Sequence, residues 1–298
     1  MTFAGFLDDA AVFPPGDAPM AVAVPAHARL VAELGDLVGP FVVPTARLDE
    51  LAHVLQDDGL GDDGLGDGGL GGGRLGGGRL AVSVIAAQPD VPAAVSRVAA
   101  VAGLRLAAVE VPGVTEAAQW GRTARGARHP DPERALDGVP ADVPVFVELP
   151  RTAARDDLLD ALAATGTRAK LRTGGLRADL FPSAAELAGT ITACAQRGVP
   201  FKCTAGLHAA LPHTDPATGF AHHGFLTVLL AAHAAATGGD PEAWLREHDA
   251  ERVVAGLRAA DLPRARAAFT SFGTCSVTEP AGDLRALGLL PAPDRIPA

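Results

Sequence analysis

The chain has 298 residues and 48% of them are hydrophobic, so it is long and apolar enough to build a substantial core. Its net charge of −10 disfavours nucleic acids and anionic membranes as partners, and no uncharged apolar run is long enough to cross a membrane. The first residues lack the basic stretch of a secretory signal and the three cysteines lack a paired spacing, so we expect a cytoplasmic protein with free thiols.

Strand-like runs recur along the chain and alternate with Ala/Leu-rich helical patterns. We predict strands in the runs GFLDDA, GPFVVPT, LAVSVIA, LAAVEVP, VPVFVELP, RAKLRTGG, VPFKCTAG and AAFTSFGTC, in chain order. The helical segments include TARLDELAHVLQ after the second run and SAAELAGTITACAQRG, with a capping box at Ser183, after the sixth.

This alternation predicts an α/β fold with a parallel sheet, and eight β/α units favour a closed (β/α)8 TIM barrel that spans residues 1–298 as a single domain. The alternative is an open doubly wound sheet. Its dinucleotide-binding version needs G-x-G-x-x-G after the first strand, and the chain has no such motif there.

Residues 57–80 interrupt the alternation with a five-residue repeat of Gly, Asp and Leu. A period of five fits neither a helix nor a strand, and so many glycines are too costly to order. We predict a flexible low-complexity insertion at the bottom of the barrel, opposite the face that carries chemistry. A second, long loop and helical insertion is predicted between the seventh and eighth strands.

Charged side chains cluster at the predicted C-terminal strand ends, where TIM barrels place their catalytic residues. They are Asp8 and Asp9 on the first strand, Glu110 on the fourth, Glu148 on the fifth, Lys170 and Arg172 on the sixth, and Lys202 on the seventh. A lysine close to other cations loses its proton more readily and becomes a nucleophile towards carbonyls. We therefore expect a lysine nucleophile with Glu110 or Glu148 as proton carrier, and Asp8 and Asp9 as ligands for substrate hydroxyl or ammonium groups.

Three short motifs resemble those of deoxyribose-phosphate aldolases, which are class I (Schiff-base) TIM-barrel enzymes. KLRTG at 170–174 has the K-x-x-T-G spacing of the imine-forming strand, FKCTAG at 201–206 is similar to the second-lysine strand, and FGTCS at 272–276 resembles the phosphate loop.

The resemblance implies that Lys170 forms the imine and that Lys202 lowers the pKa of Lys170. It also implies that Gly206, Gly273, Thr274 and Ser276 lie near a phosphate or another anion. At the same strand ends we expect further substrate contacts from Arg172, Thr173, Gly174 and Thr204. Arg172 and Ala205 depart from the family pattern, and the chain has no tyrosine. We therefore predict an aldolase-like carbon–carbon lyase without a cofactor, acting on a small anionic oxygenated metabolite.

The segment 206–224, GLHAALPHTDPATGFAHHG, contains four of the nine histidines. We expect it to cover the barrel mouth, with His208 and His213 in contact with the substrate. One alternative is a divalent metal ion held by His208, His213, Glu110 and Glu148 in an isomerase, hydrolase or aldolase. Another is that the chain is a non-catalytic metabolite-binding barrel or a partner subunit, whose charges serve binding only, and a homo-oligomer stays open.

Overall fold

The computed structural model describes residues 3–57, 78–115, 117–118, 120, 136 and 138–291. In this part of the chain, eight parallel strands close into a barrel in which each strand pairs with the next along the chain and the last pairs with the first. The strands are β1 (Leu7–Asp9), β2 (Val38–Pro44), β3 (Leu80–Ile85), β4 (Leu104–Val111), β5 (Val145–Glu148), β6 (Arg168–Arg172), β7 (Phe201–Thr204), the antiparallel pair β8 (His213–Thr214) and β9 (Ala221–His222) outside the barrel, and β10 (Phe269–Thr274).

Helices follow the strands and cover the outside of the barrel. They are α1 (Met20–Leu34), α2 (Leu48–Asp57), α3 (Val91–Ala100), α4 (Ala154–Thr165), α5 (Ala184–Gln196), α6 (Phe225–Thr237), α7 (Pro241–Leu245), α8 (Ala250–Ala259), α9 (Leu262–Ala268) and α10 (Thr278–Ala286). Short 3-10 turns span Gly35–Leu37, Thr45–Arg47, Gln88–Asp90 and Ala178–Leu180. At the start of α5 the side chain of Ser183 accepts a hydrogen bond from the Glu186 N–H, as an N-cap does.

The closed parallel sheet confirms the predicted TIM barrel, and the pair β8/β9 with helices α6 to α9 forms the predicted insertion before the last barrel strand. Most of the predicted glycine-rich insertion lies outside the described residues, between the end of α2 and the start of β3. That residues 1–298 form a single domain stays a prediction. Among the helices that the structure describes, none is both long and apolar enough for a membrane crossing.

Phenylalanines pack between the barrel strands and helix α6. Phe201 and Phe269 are the first residues of β7 and β10, and their ring centroids are 5.2 Å apart. Phe6 packs edge-on against Phe269 at 5.1 Å and against Phe225 of α6 at 6.2 Å. Each of these buried rings contributes roughly 1.5–3 kcal/mol by leaving water. Lys202 follows Phe201 on β7 and therefore points to the opposite, inner face of the barrel.

Candidate active site

Six charged side chains from five barrel strands form a continuous series of contacts in which acids and bases alternate. Lys202 Nζ lies 2.6 Å from Asp8 Oδ2 and 2.5 Å from Glu110 Oε1. Lys170 Nζ lies 2.8 Å from Glu110 Oε2 and 3.6 Å from Glu148 Oε2. Arg172 Nε then donates to Glu148 Oε1 at 2.8 Å. We call this series the ion-pair chain: Asp8, Lys202, Glu110, Lys170, Glu148 and Arg172.

The register of the strands explains why these residues meet. Lys170 is paired in the sheet with Glu148 on one side and Lys202 on the other, so all three side chains stand at one level. Arg172 lies two residues further along β6 and points to the same face. On β2, Gly39 makes room for Asp8, because a Cβ at Gly39 would lie 2.3 Å from Asp8 Oδ1.

Burial and neighbouring charges act in opposite directions on the pKa values of Glu110, Lys202 and Asp8. Burial alone would raise the pKa of Glu110, but the ammonium groups of Lys170 and Lys202 bring it well below its usual range. Burial likewise opposes the charge on Lys202, but Asp8 and Glu110 outweigh it and raise the pKa of Lys202 above the ordinary value. Burial raises the pKa of Asp8, although Lys202 opposes this shift. Lys202 is therefore held as an ammonium group.

The two lysines differ in their surroundings. Lys202 has two carboxylates at close hydrogen-bond distance, whereas Lys170 has one, from Glu110, and a longer contact to Glu148. The Oε2 atom of Glu148 is buried and has no hydrogen-bond partner among the described residues. Because the charge on Lys202 is compensated by Asp8 and Glu110, the repulsion that the sequence analysis expected Lys202 to exert on Lys170 is offset.

Two buried serines support the carboxylates, and the sequence analysis missed both. Ser83 Oγ donates to Glu110 Oε1 at 2.7 Å, and Ser271 Oγ donates to Asp8 Oδ2 at 2.8 Å. Ser83 is the single hydroxyl of the apolar strand LAVSVI, whereas Ser271 lies in FTSFGT between Thr270 and Phe272. A lone polar residue inside an apolar strand was therefore an available signal for Ser83 but not for Ser271.

Asp9 does not join the ion-pair chain. It follows Asp8 on β1 and therefore points to the opposite face, where its Oδ2 contacts His27 Nδ1 of α1 at 3.0 Å. Its other oxygen accepts a hydrogen bond from the N–H of Ala11. Asp9 thus ties β1 to helix α1 instead of facing the barrel interior where the sequence analysis expected it.

The loops after β6 and β7 touch each other through their backbones. A Cβ at Gly206 would lie 2.9 Å from Gly174 Cα, and Gly206 has a φ of +80°, which favours glycine. The hydroxyl of Thr173 donates to the carbonyls of Thr204 and Ala205. Thr173, Gly174 and Gly206, predicted as substrate contacts, are thus engaged in joining the two loops.

Thr204 and Gly273 stand next to each other above the lysines. They are register partners in β7 and β10, and a Cβ at Gly273 would lie 3.9 Å from Thr204 Oγ1. Further along the chain, the Thr274 hydroxyl donates to the Ser276 carbonyl at 3.1 Å. Ser276 Oγ is 3.1 Å from Thr278 Oγ1.

The segment 206–224 packs over the loops that follow β6 and β7. His222 Nδ1 donates to the Gly206 carbonyl at 3.1 Å, and His223 Nε2 donates to the Pro182 carbonyl at 2.8 Å. Burial lowers the pKa of both histidines. His213 stacks on His222 at 4.9 Å, and its buried Nδ1 has no hydrogen-bond partner in the described part of the chain.

His208 lies at the end of β10 and not over the ion-pair chain. Its Nδ1 is 2.9 Å from Glu279 Oε2, and its Nε2 is 3.8 Å from Cys275 Sγ. In the regions that the structure describes, no three His, Cys, Asp or Glu side chains are grouped so as to hold a metal ion. The alternative metal set of His208, His213, Glu110 and Glu148 is not assembled, because Glu110 is paired with lysines and His208 with Glu279.

Comparisons with known proteins give remote likenesses. No protein-family model matches the chain, and no curated protein matches it either. Solved structures with similar folds include RipC from Yersinia pestis, with a TM-score of 0.36, 11% identity and coverage of 86% of this chain and 91% of RipC. The citrate lyase beta subunit from M. tuberculosis, complexed with oxaloacetate and magnesium, has a TM-score of 0.38, 16% identity and coverage of 80% and 92%.

A protein from Coccidioides immitis, assigned as a fructose-1,6-biphosphate aldolase, is similar at a TM-score of 0.33 and 9% identity, with coverage of 91% of this chain and 76% of that one. At these values the likeness does not extend to an activity. The closed order of the strands establishes the barrel fold of this chain directly.

Proposed function

We propose that this barrel is a carbon–carbon lyase that acts on a small anionic, oxygenated carbonyl compound through an imine on Lys170. The observation that carries the proposal is the placement of lysine. The chain has 25 lysines and arginines, of which only Lys170 and Lys202 are lysines, and both are buried in contact with carboxylates. Arginine can supply a positive charge anywhere, but it cannot lose a proton and form an imine as lysine does.

Lys170 is the better nucleophile of the two. Lys202 is 1% exposed and is held as an ammonium group by Asp8 and Glu110. Lys170 can pass a proton to Glu148 Oε2, which lies 3.6 Å away and has no hydrogen-bond partner among the described residues. The side chain of Glu148 is 15% exposed and that of Arg172 is 34% exposed, so the Lys170 end of the ion-pair chain is the end nearest to solvent.

The reaction begins when Lys170 transfers a proton to Glu148 and its neutral amine attacks the substrate carbonyl. The carbinolamine then loses water, with the proton on Glu148 going to the departing hydroxyl. The resulting iminium accepts the electrons of the bond between the α carbon and the β carbon that carries the substrate hydroxyl, and an enamine forms. As that bond breaks, the β-hydroxyl of the substrate gives its proton to the ionised Glu148, and an aldehyde leaves. Protonation of the enamine and hydrolysis of the imine restore Lys170.

Other residues have supporting roles in this proposal. Arg172 is partly exposed and binds the carboxylate or phosphate of the substrate, while its contact with Glu148 orients that carboxylate. Thr204, Gly273, Thr274, Ser276 and the histidines His208 and His213 are retained as candidates for substrate contact. Lys202 and Asp8 fix Glu110, which in turn positions Lys170.

Trapping the imine tests the proposal. The protein is incubated with a panel of small aldehydes and keto acids together with borohydride, and the modified peptide is identified by mass spectrometry. The background is low, since the chain has only two lysines, Lys170 and Lys202, and its N-terminus as primary amines. We expect an adduct on Lys170 in the wild type, and none in Lys170→Arg, which keeps a cation between Glu110 and Glu148.

Circular dichroism confirms that the variant is folded. An adduct on Lys202 with none on Lys170 would reverse the two roles. Saturable binding of panel compounds without any adduct would overturn the imine mechanism and favour a barrel that only binds its metabolite.

A further inference from the structure

A cysteine, a histidine and a glutamate stand in line at the end of β10. Cys275 follows the last residue of the strand, His208 comes from the loop after β7, and Glu279 belongs to the first turn of α10. Cys275 Sγ is 3.8 Å from His208 Nε2, and His208 Nδ1 is 2.9 Å from Glu279 Oε2. A nucleophile in contact with a base, and the base in contact with an orienting carboxylate, is the arrangement of an activated nucleophile.

The hydrogen bonds determine which nitrogen of His208 carries the proton. An ionised carboxylate only accepts, so the Nδ1 facing Glu279 must be the N–H donor. The Thr274 hydroxyl, 3.4 Å from the same nitrogen, already donates its hydrogen to the Ser276 carbonyl and can only accept from the ring. In the neutral imidazole Nε2 is then the acceptor, and it is the atom that faces the thiol.

The surroundings of Cys275 suit a thiol that needs a base. The residue is only partly exposed, and burial together with the charge of Glu279 raises the pKa of its thiol. The thiol is therefore protonated at neutral pH, and His208 is placed to remove the proton. The backbone of Gly16 and of Cys275 itself partly opposes this increase in the pKa. Gly16 packs close to the cysteine, because a Cβ at Gly16 would lie 3.1 Å from Cys275 Cβ.

We propose that Cys275, His208 and Glu279 form a second reactive centre, outside the ion-pair chain, that accepts acyl groups from thioesters or activated esters of small carboxylic acids. The thiol proton passes to His208 Nε2 while the sulfur–carbon bond forms. The bond from the carbonyl carbon to the leaving oxygen or sulfur then breaks, and the leaving group takes the proton from His208. Water, deprotonated by the same nitrogen, attacks the acyl-cysteine, and the departing Cys275 sulfur takes that proton back as the free carboxylic acid leaves.

Acylation by p-nitrophenyl acetate and by an acetyl thioester of N-acetylcysteamine tests the proposal on the full chain. The burst of p-nitrophenolate gives the acylation rate, and peptide mass spectrometry identifies the acylated residue. We expect acetyl-Cys275, and no label on the buried thiols of Cys194 and Cys203. His208→Ala should slow acylation about 100-fold, the low end for general-base catalysis. His208→Gln serves as a second variant that keeps a polar side chain.

His53→Ala is the matched control, since His53 lies on the exposed face of α2. It should leave the rate unchanged. Glu279 is a positioning residue, so Glu279→Gln should slow the burst without changing the melting temperature, and Glu279→Asp should restore part of the rate. Equal acylation rates with and without His208 would identify Cys275 as an ordinary accessible thiol. That result, or an acetyl group that persists in Cys275→Ala, overturns the proposal.

Discussion

Replacing Lys202 by methionine should destabilise the barrel much more than replacing Lys170, although both lysines are buried and both contact Glu110. The reason lies in what each substitution leaves behind. Without Lys202, the buried carboxylate of Asp8 still accepts the hydrogen bond from the Ser271 hydroxyl. It has no cation in direct contact among the described residues, because Lys202 was that cation. Without Lys170, Glu110 still contacts Lys202 and Ser83, and Glu148 still contacts Arg172.

The expected magnitudes follow from this difference. Removing one partner of a buried ion pair costs about 3–5 kcal/mol, because the other charge stays buried without compensation. We expect a loss of this size for Lys202→Met. Losing a hydrogen bond to a charged group that keeps its other partners costs about 1.5–3 kcal/mol, which is the expectation for Lys170→Met.

Urea denaturation followed by circular dichroism measures both losses, and pH provides a second readout. Burial already raises the pKa of Asp8 above its value in the unfolded chain, and loss of Lys202 raises it further. The folded variant then binds a proton that the unfolded chain does not. Its free energy of unfolding should therefore rise as the pH falls towards the ordinary pKa of an aspartate in the unfolded chain.

The double variant Asp8→Asn with Lys202→Met controls for lost packing, since it removes the uncompensated charge and keeps the methionine. It should recover about 1–3 kcal/mol relative to Lys202→Met. Equal losses for the two single lysine variants, or a double variant as unstable as Lys202→Met, would refute this account of the ion-pair chain.

Three further predictions concern the scaffold. Gly206→Ala should lower the free energy of unfolding by about 1–3 kcal/mol, because Gly206 has a positive φ and the added Cβ would lie 2.9 Å from Gly174 Cα. The control Gly282→Ala should not lower it, since a Cβ at that position of α10 meets no atom within 4 Å. Asp9→Asn should weaken the contact with His27, lowering the melting temperature while leaving borohydride trapping at Lys170 intact. Replacing residues 58–77 of the predicted insertion by a short Gly/Ser linker, which keeps the buried Leu80 of β3, should change the free energy of unfolding by less than about 1 kcal/mol, and loss of cooperative unfolding would contradict their dispensability.

The barrel could be predicted because its strands are short apolar runs separated by helical patterns, and that signal is local in the sequence. Three elements lacked such a signal. Helix α1 has Pro25 in its interior and a run of small apolar residues with little contrast between its faces. The strands β8 and β9 have two residues each, which is too short for an alternating pattern to show.

The candidate site could be predicted only as a set of strand ends. Two adjacent aspartates end β1, and the sequence does not say that Asp8 faces inwards, where Gly39 leaves room for it, and Asp9 outwards towards His27. The contacts of His208 with Cys275 and Glu279 join residues 67 and 71 positions apart. Such contacts depend on the closure of the barrel and leave no trace in local composition.

The small number of lysines and their burial also determine how susceptible the folded protein is to lysine-specific proteases. An enzyme that cleaves after lysine has two target bonds in the chain, and both lie within the barrel strands β6 and β7, with the lysine side chains 2% and 1% exposed. Neither bond can enter a protease active site while the sheet is intact, since cleavage requires an extended and accessible segment. The rate of digestion by a lysine-specific protease therefore reports the fraction of molecules in which the barrel has opened. An arginine-specific protease also cuts exposed surface segments of the folded protein.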